Sequence, residues 1–256
     1  MKKEPSARVR IGIAGAGIAG RRHGEAFARH PDVAVAAVAD VDPARGREAA
    51  SLFGARCFAD YRGMLRAGID AVVVSLPHAL HLACAEDAAR AGIHILMEKP
   101  LATTLEDARA IVAAADRARV RLMLGYVHRL RPEVEAARRL IIEGRLGRPA
   151  TALDRFMSGG MRETPRWVWD AGEAGGGVVM YGGVHAIDRL RWLLGEEVTE
   201  VYAKTATYSN PSLVEDGVCA VLTFASGAAA VGRRRRRPAR VGGGACDLSI
   251  RGERAA

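Results

Sequence analysis

Lys99 follows a short apolar run and precedes a proline, in the stretch IHILMEKPL at positions 93–101. Read as a strand running out into Glu98, Lys99 and Pro100, it delivers a cation to a strand's carboxyl end, where open parallel sheets hold ligands. The proline fixes the backbone there and removes a donor. A cation so placed is aimed at a bound group; the plainer reading is a surface lysine at a strand-to-helix turn. A second pair, His185 and Asp188, stands three residues apart in GVHAIDRLRW. On a helix that spacing puts both on one face. A histidine backed by a carboxylate near a helix start can pass a proton near neutral pH. The alternative is a polar helix face whose histidine caps or packs locally.

The third constellation is Gly15-x-Gly17-x-x-Gly20, with Asp40 twenty residues further on. In such a loop the first glycine makes a tight turn and the second lets the backbone approach a pyrophosphate. The third lets the following helix pack closely on its strand, with the helix N-terminus facing the phosphates. Gly15, Gly17, Ile18, Ala19 and Gly20 therefore form a candidate dinucleotide cradle. Asp40 would accept ribose hydroxyls and repel a 2′-phosphate, which favours NAD; the alternative is a solvated turn acid. Arg21, Arg22 and Arg45 leave NADP open. His78 and His81 have the spacing of half a metal site, but no further ligands are grouped with them, so no metal is expected.

The elements needed to position these residues are readable in order. Strands are predicted at 9–14, 33–40, 56–58, 71–76, 94–97 and 121–127. Helices are predicted from the glycine loop to about residue 30, from Pro43 onward, at 61–67 and 80–91, soon after Thr103, and at 132–143. Asp42 followed by Pro43 suits a helix start. Thr103 with Glu106 reads as a capping box for the helix after Lys99, whose apolar face is Leu105, Ala108, Ile111, Val112 and Ala115. Six alternations of strand and helix mean a doubly wound parallel sheet.

The pattern changes after Pro149. A strand at 150–157 is followed by a glycine-rich loop at 159–177 carrying Trp167 and Trp169, then a helix at 183–194. Strands at 197–208, 217–225, 228–235 and 246–251 have no helices between them. An α/β domain at 1–126 is thus expected to precede an α+β domain at 127–256 with a mostly antiparallel sheet. Trp167 and Trp169 offer rings that stack on a sugar; buried loop anchors are the alternative.

Composition narrows the classes. With 256 residues, 49% of them hydrophobic, the chain can bury a sizeable core in one or two domains. The net charge of +9 permits acidic partners. Arginine outnumbers lysine so heavily, however, that a general arginine bias explains the charge. The run Arg233–Arg237 has no interleaved aromatics and reads as a basic strand end or loop, so no specific nucleic acid is expected. The four cysteines form no CxxC pair, which suits a reduced, cytoplasmic setting. Neither a secretory signal nor a run of about 18 apolar residues is present, so no membrane partner is expected.

Three separated segments, GAGIAGRRH at 15–23, MEKPLATTLEDA at 97–108 and GGVHAIDRLRWLLG at 182–195, together resemble the Gfo/Idh/MocA oxidoreductases. This is the family of glucose–fructose oxidoreductase and inositol 2-dehydrogenase. His81 four residues after Pro77, and GYVHRLRP at 125–132, fit it as well. The resemblance implies a Rossmann domain followed by a sheet-based substrate domain, with Pro77, His81, Glu98 and Lys99 bordering the cofactor. It implies that Lys99 holds and polarises a substrate hydroxyl, that His185 is the general acid/base, and that Asp188 contacts or orients the substrate. Tyr181 and Trp167 are further candidate substrate contacts. Hydride would leave a secondary alcohol of a sugar, cyclitol or polyol for nicotinamide while a base takes the hydroxyl proton and a cation steadies the alkoxide.

Two departures bear on this. Inositol-dehydrogenase-like members carry an aspartate where this chain has Tyr181, a weaker base, which argues against inositol itself. Family members also usually continue for several more strands, so the second domain is expected to be truncated, with an unpaired edge. If its sheet folds, a homo-oligomer is expected. A non-catalytic nucleotide- or sugar-binding regulator, or an inactive fragment, is the competing reading.

Overall fold

Short runs of valine, isoleucine and alanine become the strands of the first unit. A computed structural model describes residues 8–159, 164–208, 214–237 and 246–253, and the chain divides into two units, Met1–Gly125 and Tyr126–Ala256. In the first, β1 (Val9–Ala14), α1 (Ile18–Ala28), β2 (Val33–Ala39), α2 (Pro43–Phe53), β3 (Arg56–Phe58) and α3 (Tyr61–Leu65) come first. They are followed by β4 (Ala71–Val74), α4 (His81–Arg90), β5 (His94–Met97), α5 (Leu105–Ala118) and β6 (Leu122–Leu124). All six strands are parallel, in the order β3-β2-β1-β4-β5-β6. The order reverses between β1 and β4, the crevice where doubly wound sheets bind ligands.

Alternate residues along the strands serve opposite faces. Ala14, Ala37, Val72, Val74, Ile95 and Met97 pack with Met64, Cys84, Ala88 and Ile111 on one side. Ile13, Val35 and Val38 pack with Ala49 and Ala50 on the other. Small side chains on α2, α4 and α5 let these helices lie close to the sheet.

Local signals place most helix ends. Asp42 accepts from Ala44 N and Arg45 N with Pro43 behind it, and Gly54 closes α2 at φ 64°. The cap of α5 is Thr104, which accepts from Asp107 N at 3.1 Å. Thr103, the residue expected from sequence, is one position early. Thr104 is the last extended residue (φ −127°, ψ 161°), and only that residue can reach back to the third helical amide. Leu105 and Val112, expected on the buried face of α5, are exposed, and Ala114 joins Ile111 and Ala115 inside. The last strand is also shorter than expected. β6 is an edge strand meeting only β5 through three residues, and a 3₁₀ turn at Val127–Leu130 follows.

The second unit holds α6 (Pro132–Ile142), β7 (Arg148–Gly159), α7 (Ala171–Ala174), α8 (Val184–Leu194), β8 (Val198–Ala206), β9 (Gly217–Phe224), β10 (Ala229–Arg237) and β11 (Cys246–Glu253). Its five-stranded sheet runs β11-β7-β10-β9-β8. Every pairing is antiparallel except β7 with β10. Leu190 of α8 packs on Ala152, Leu222, Phe224 and Ala230 of the sheet. The stretch expected to be a glycine-rich loop contains a 3₁₀ turn at Arg166–Trp169 and α7, whose amides are capped by Asp170. Part of that stretch, residues 160–163, lies outside the described residues. The arginine run ends β10, and its side chains also lie outside them. Among the described residues, no helix is long and apolar enough to cross a membrane.

Candidate functional site

The glycine loop of the first unit is built so tightly that two of its three glycines have no substitute. Gly15 has φ +90°, and a Cβ there would meet the Ser75 carbonyl oxygen at 2.5 Å. A Cβ on Gly20 would collide with the Gly15 carbonyl oxygen, so α1 lies directly against the turn. Gly17 differs: nothing lies within 4 Å of its missing side chain. It opens α1, whose first amides receive no side-chain cap, and Ile18 beside it is exposed. A tight turn, an open middle glycine and an uncapped helix start fit a bound pyrophosphate. The cradle thus suits the dinucleotide that the spacing predicted.

Asp40, at the end of β2, is buried and already engaged. Its Oδ2 accepts from Ala16 N at 2.8 Å, and its Oδ1 accepts from Asp42 N at 2.8 Å. Arg45 then donates Nε to Oδ2 at 2.9 Å and Nη2 to Oδ1 at 2.6 Å. Burial pushes this carboxyl upward, but the guanidinium and the two amides outweigh it and hold the group below the usual carboxylate range. The solvated turn acid considered from sequence is therefore excluded. The bond to Ala16 also ties the glycine loop to the second strand.

The ends of β4 and β5 carry the other candidates. His81 is fully buried, with Nε2 3.1 Å from Leu76 O and Nδ1 3.0 Å from Pro100 O and 3.2 Å from Leu101 O. Burial lowers its pKa, and the three carbonyls oppose that shift. It joins the backbone just before Pro77 to the turn after Lys99. Glu98 lies 2.7 Å from His23 Nε2 and accepts from Lys99 N at 3.2 Å. Burial raises the Glu98 carboxyl, but the His23 hydrogen bond and the Lys99 and His23 charges prevail and hold it low. Lys99 itself is partly buried, and the Lys99–Pro100 bond is cis.

In the second unit His185 and Asp188 occupy the first half of α8, as their spacing predicted. Asp188 is buried and accepts from Arg129, whose Nε lies 3.0 and 2.9 Å from the two carboxylate oxygens and whose Nη2 also meets Oδ1. The planar guanidinium matches both oxygens at once, which an imidazole cannot. That carboxylate bond holds Arg129 more firmly protonated still. His185 lies against the His128 ring, with centroids 4.0 Å apart and planes 13° apart, and meets Tyr126 edge-on at 6.3 Å. Arg189 fixes this arrangement from below. It holds buried Asp154 through Nε at 2.9 Å and Nη2 at 2.6 Å, and contacts His128 Nδ1 through Nη1. A guanidinium can only donate, so His128 Nδ1 accepts and its proton resides on Nε2.

Tyr181 sits in a single π-type turn, Val179–Gly183, that leads into α8. Glu215 anchors this turn, accepting from Gly177 N at 2.9 Å and Val179 N at 3.0 Å. Trp167 and Trp169 are both partly exposed, flanking Val168, which is the buried anchor of their 3₁₀ turn. Sequence reasoning assigned no role to Tyr126, His128, Arg129, Asp154, Arg189 or Glu215. For Asp154 a signal existed: a carboxylate two residues after Ala152 falls on the inward face of a strand.

No group of three or more His, Cys, Asp or Glu side chains among the described residues could hold a metal ion. Comparison with known proteins adds the following. The Rossmann-fold profile described as "Oxidoreductase family, NAD-binding Rossmann fold" for GFO/IDH/MocA proteins matches residues 9–126, and the GFO/IDH/MocA C-terminal domain profile matches residues 134–250. The chain is 32% identical over 242 residues to the rhizopine catabolism protein MocA of Rhizobium meliloti, covering 89% of this chain and 72% of that one. It is 31% identical over 233 residues to inositol 2-dehydrogenase of Rhizobium meliloti strain 1021, covering 90% and 69%. A solved levoglucosan dehydrogenase in complex with NADH and levoglucosan superposes with a TM-score of 0.87 at 28% identity, over 96% of this chain and 71% of that one. The chain spans between 48% and 72% of the length of the curated relatives it matches.

Proposed function

This chain belongs to the Gfo/Idh/MocA oxidoreductase family, and on that premise we propose that it catalyses NAD-dependent oxidation or reduction at a secondary alcohol of a sugar, cyclitol or related polyol. The observation that carries this reading is the cradle of Gly15, Gly17 and Gly20, closed where a helix must touch a turn and open where a phosphate must approach. The kinds of compound named for its relatives, inositol and levoglucosan among them, support a polyhydroxylated substrate.

In this reading the first turn of α1 holds the pyrophosphate through its amides, and Asp40 faces the adenine ribose. The bound nicotinamide supplies the hydride acceptor or donor. Lys99 holds the reacting hydroxyl and steadies the negative charge that grows on its oxygen as the C–H bond weakens. Glu98, accepting from the Lys99 amide and from His23, fixes the backbone from which Lys99 projects. His185 takes the hydroxyl proton in oxidation and returns it in reduction. Its ring plane is set by His128 and Tyr126. Asp188, neutralised by Arg129, positions this helix start and is not the base. Tyr181 takes the place of the carboxylate expected for inositol-type substrates, as a neutral hydrogen-bonding group that suits a ring with a different hydroxyl pattern.

The test is a panel of sugars, anhydrosugars and cyclitols offered with NAD⁺, with nicotinamide absorbance as the readout, on wild type, Lys99→Ala and His185→Ala. Turnover of one of these compounds, lost in both variants while cofactor still binds, is the expected result. Cofactor binding with no turnover of any polyol would leave a non-catalytic binding protein as the better account.

A further inference from the structure

We propose that Glu215 is a positioning residue for Tyr181: its carboxylate holds the π-type turn before α8 in register, and that register sets where Tyr181 stands around the helix relative to His185. The inference rests on the reading of Tyr181 and His185 above and goes beyond it, because it traces how tightly a polyol is held to a residue outside α8.

Val178 to Leu194 run as one helical stretch interrupted by the π turn at Val179–Gly183. In that turn the Val184 amide donates to the Val179 carbonyl oxygen, five residues back, where an α-helix would reach back four. An unbroken α-helix would stack Tyr181 on His185, four residues on. The extra residue offsets Tyr181 around the axis from that position. A π turn is a rare register, and its persistence asks for a local cause.

Glu215 supplies that cause. Three successive amides at the start of the stretch converge on it. Val178 N donates to its carbonyl oxygen at 2.8 Å, while Gly177 N and Val179 N donate to Oε2 and Oε1 at 2.9 and 3.0 Å. Amides at a helix start have no acceptor within the helix, and the residue before this turn offers no side-chain cap. The approach is close: a Cβ on Gly177 would run into the Glu215 carbonyl oxygen. Removing the extra residue from the turn would swing these amides by about 100°, and the three bonds could not all survive. The rest of the helix is fixed separately. Arg129 grips Asp188, Asp154 holds Arg189, and Leu190 packs on the sheet. Loosening the π turn therefore moves Tyr181 and leaves His185 in place.

The experiment places fluorotyrosine at the chain's five tyrosines and records fluorine NMR spectra of wild type, Glu215→Ala and Glu215→Gln, with Tyr181→Phe assigning the Tyr181 signal. That signal is expected to move in Glu215→Ala. It should move less in Glu215→Gln, which keeps one acceptor, while the Tyr61 signal of the first unit stays. In parallel, KM and kcat are measured for levoglucosan and inositol with NAD⁺. Glu215→Ala should raise KM by about 3- to 10-fold, the worth of one hydrogen bond, with kcat little changed. Adding Tyr181→Phe should then cost nothing further. A Tyr181 signal that stays put in folded Glu215→Ala overturns the proposal, and Glu215→Gln decides it in the same way if the alanine variant does not fold. KM penalties that add in full also overturn it. Failure to turn over either compound counts against the dehydrogenase reading and leaves the fluorine spectra to decide this one.

Discussion

The rings of His128 and His185 lie 4.0 Å apart and nearly parallel, although they come from a 3₁₀ turn and a helix far apart in the chain. Because Arg189 donates to His128 Nδ1, the stacked ring is held in one tautomer and one orientation. His185 thereby gains a flat wall that limits its rotation, which is what a proton-transfer group needs. His185→Ala should lower kcat by about 10²- to 10⁴-fold, the usual weight of general acid–base catalysis. His128→Ala should lower it by roughly tenfold through lost positioning, and His128→Phe, which keeps a flat ring, should recover most of that. Steady-state kinetics decide it, and equal losses for Phe and Ala would show that the wall is not what matters.

The glycine cradle predicts a split between two similar substitutions. Gly17→Ala meets no atom within 4 Å, so its melting temperature should match wild type while NADH affinity falls at least about tenfold, since the new methyl group occupies the phosphate's approach. Gly20→Ala pushes a methyl group into the Gly15 carbonyl oxygen and should lose about 1–3 kcal/mol of stability as well. Thermal melts paired with fluorescence titration separate the two effects.

Asp154 and Arg189 form a buried ion pair at 2.6 Å, with 0% and 3% of their side chains exposed. Removing one partner leaves the other charged and enclosed. Asp154→Ala should therefore cost about 3–5 kcal/mol in urea denaturation. Asp154→Leu combined with Arg189→Met should cost less than either single change, and a double variant as unstable as the sum would rule out that origin.

Glu98 makes stability depend on pH in one direction. Its carboxyl is held below its ordinary value in the folded chain, so the folded state binds this proton less readily than the unfolded one. The stabilisation is therefore complete above the ordinary glutamate range and is lost as pH falls through the depressed folded value. Glu98→Gln should be less stable than wild type by about 1–2 kcal/mol at neutral pH, and the difference should vanish in acid. Denaturation curves across that range check it; a gap that widens on acidification would contradict the assignment.

Much of the first unit was legible because its signals are local. Strand and helix alternate, Asp42-Pro43 starts a helix, and three glycines at fixed spacing turn a strand into α1. The failures have local causes too. Two adjacent threonines compete to cap α5, and only backbone geometry chooses Thr104. In the second unit the decisive relationships are distant. The spacing set Asp188 beside the histidine three residues away, but gave no sign of Arg129, 59 residues off, whose guanidinium grips it. Helical spacing reports which residues share a face, not which charge arrives from another element. Asp40 could be recognised as the acid of the site, but not that Arg45, one turn into the next helix, would occupy it.

The pairing of β7 carries a consequence for how the chain acquires its fold. Both neighbours of this strand come late: Thr151 is aligned with Ala229 on β10, and Phe156 with Cys246 on β11. During synthesis β7 leaves the ribosome with neither partner made. At roughly 5–20 residues per second the strand waits about 5–20 seconds for the roughly 90 residues that complete its pairing. Through that interval its backbone donors and acceptors face solvent, so recruitment by another nascent chain competes with correct closure. The yield of native protein should thus respond to translation rate and chaperone supply more than to any substitution in the glycine cradle.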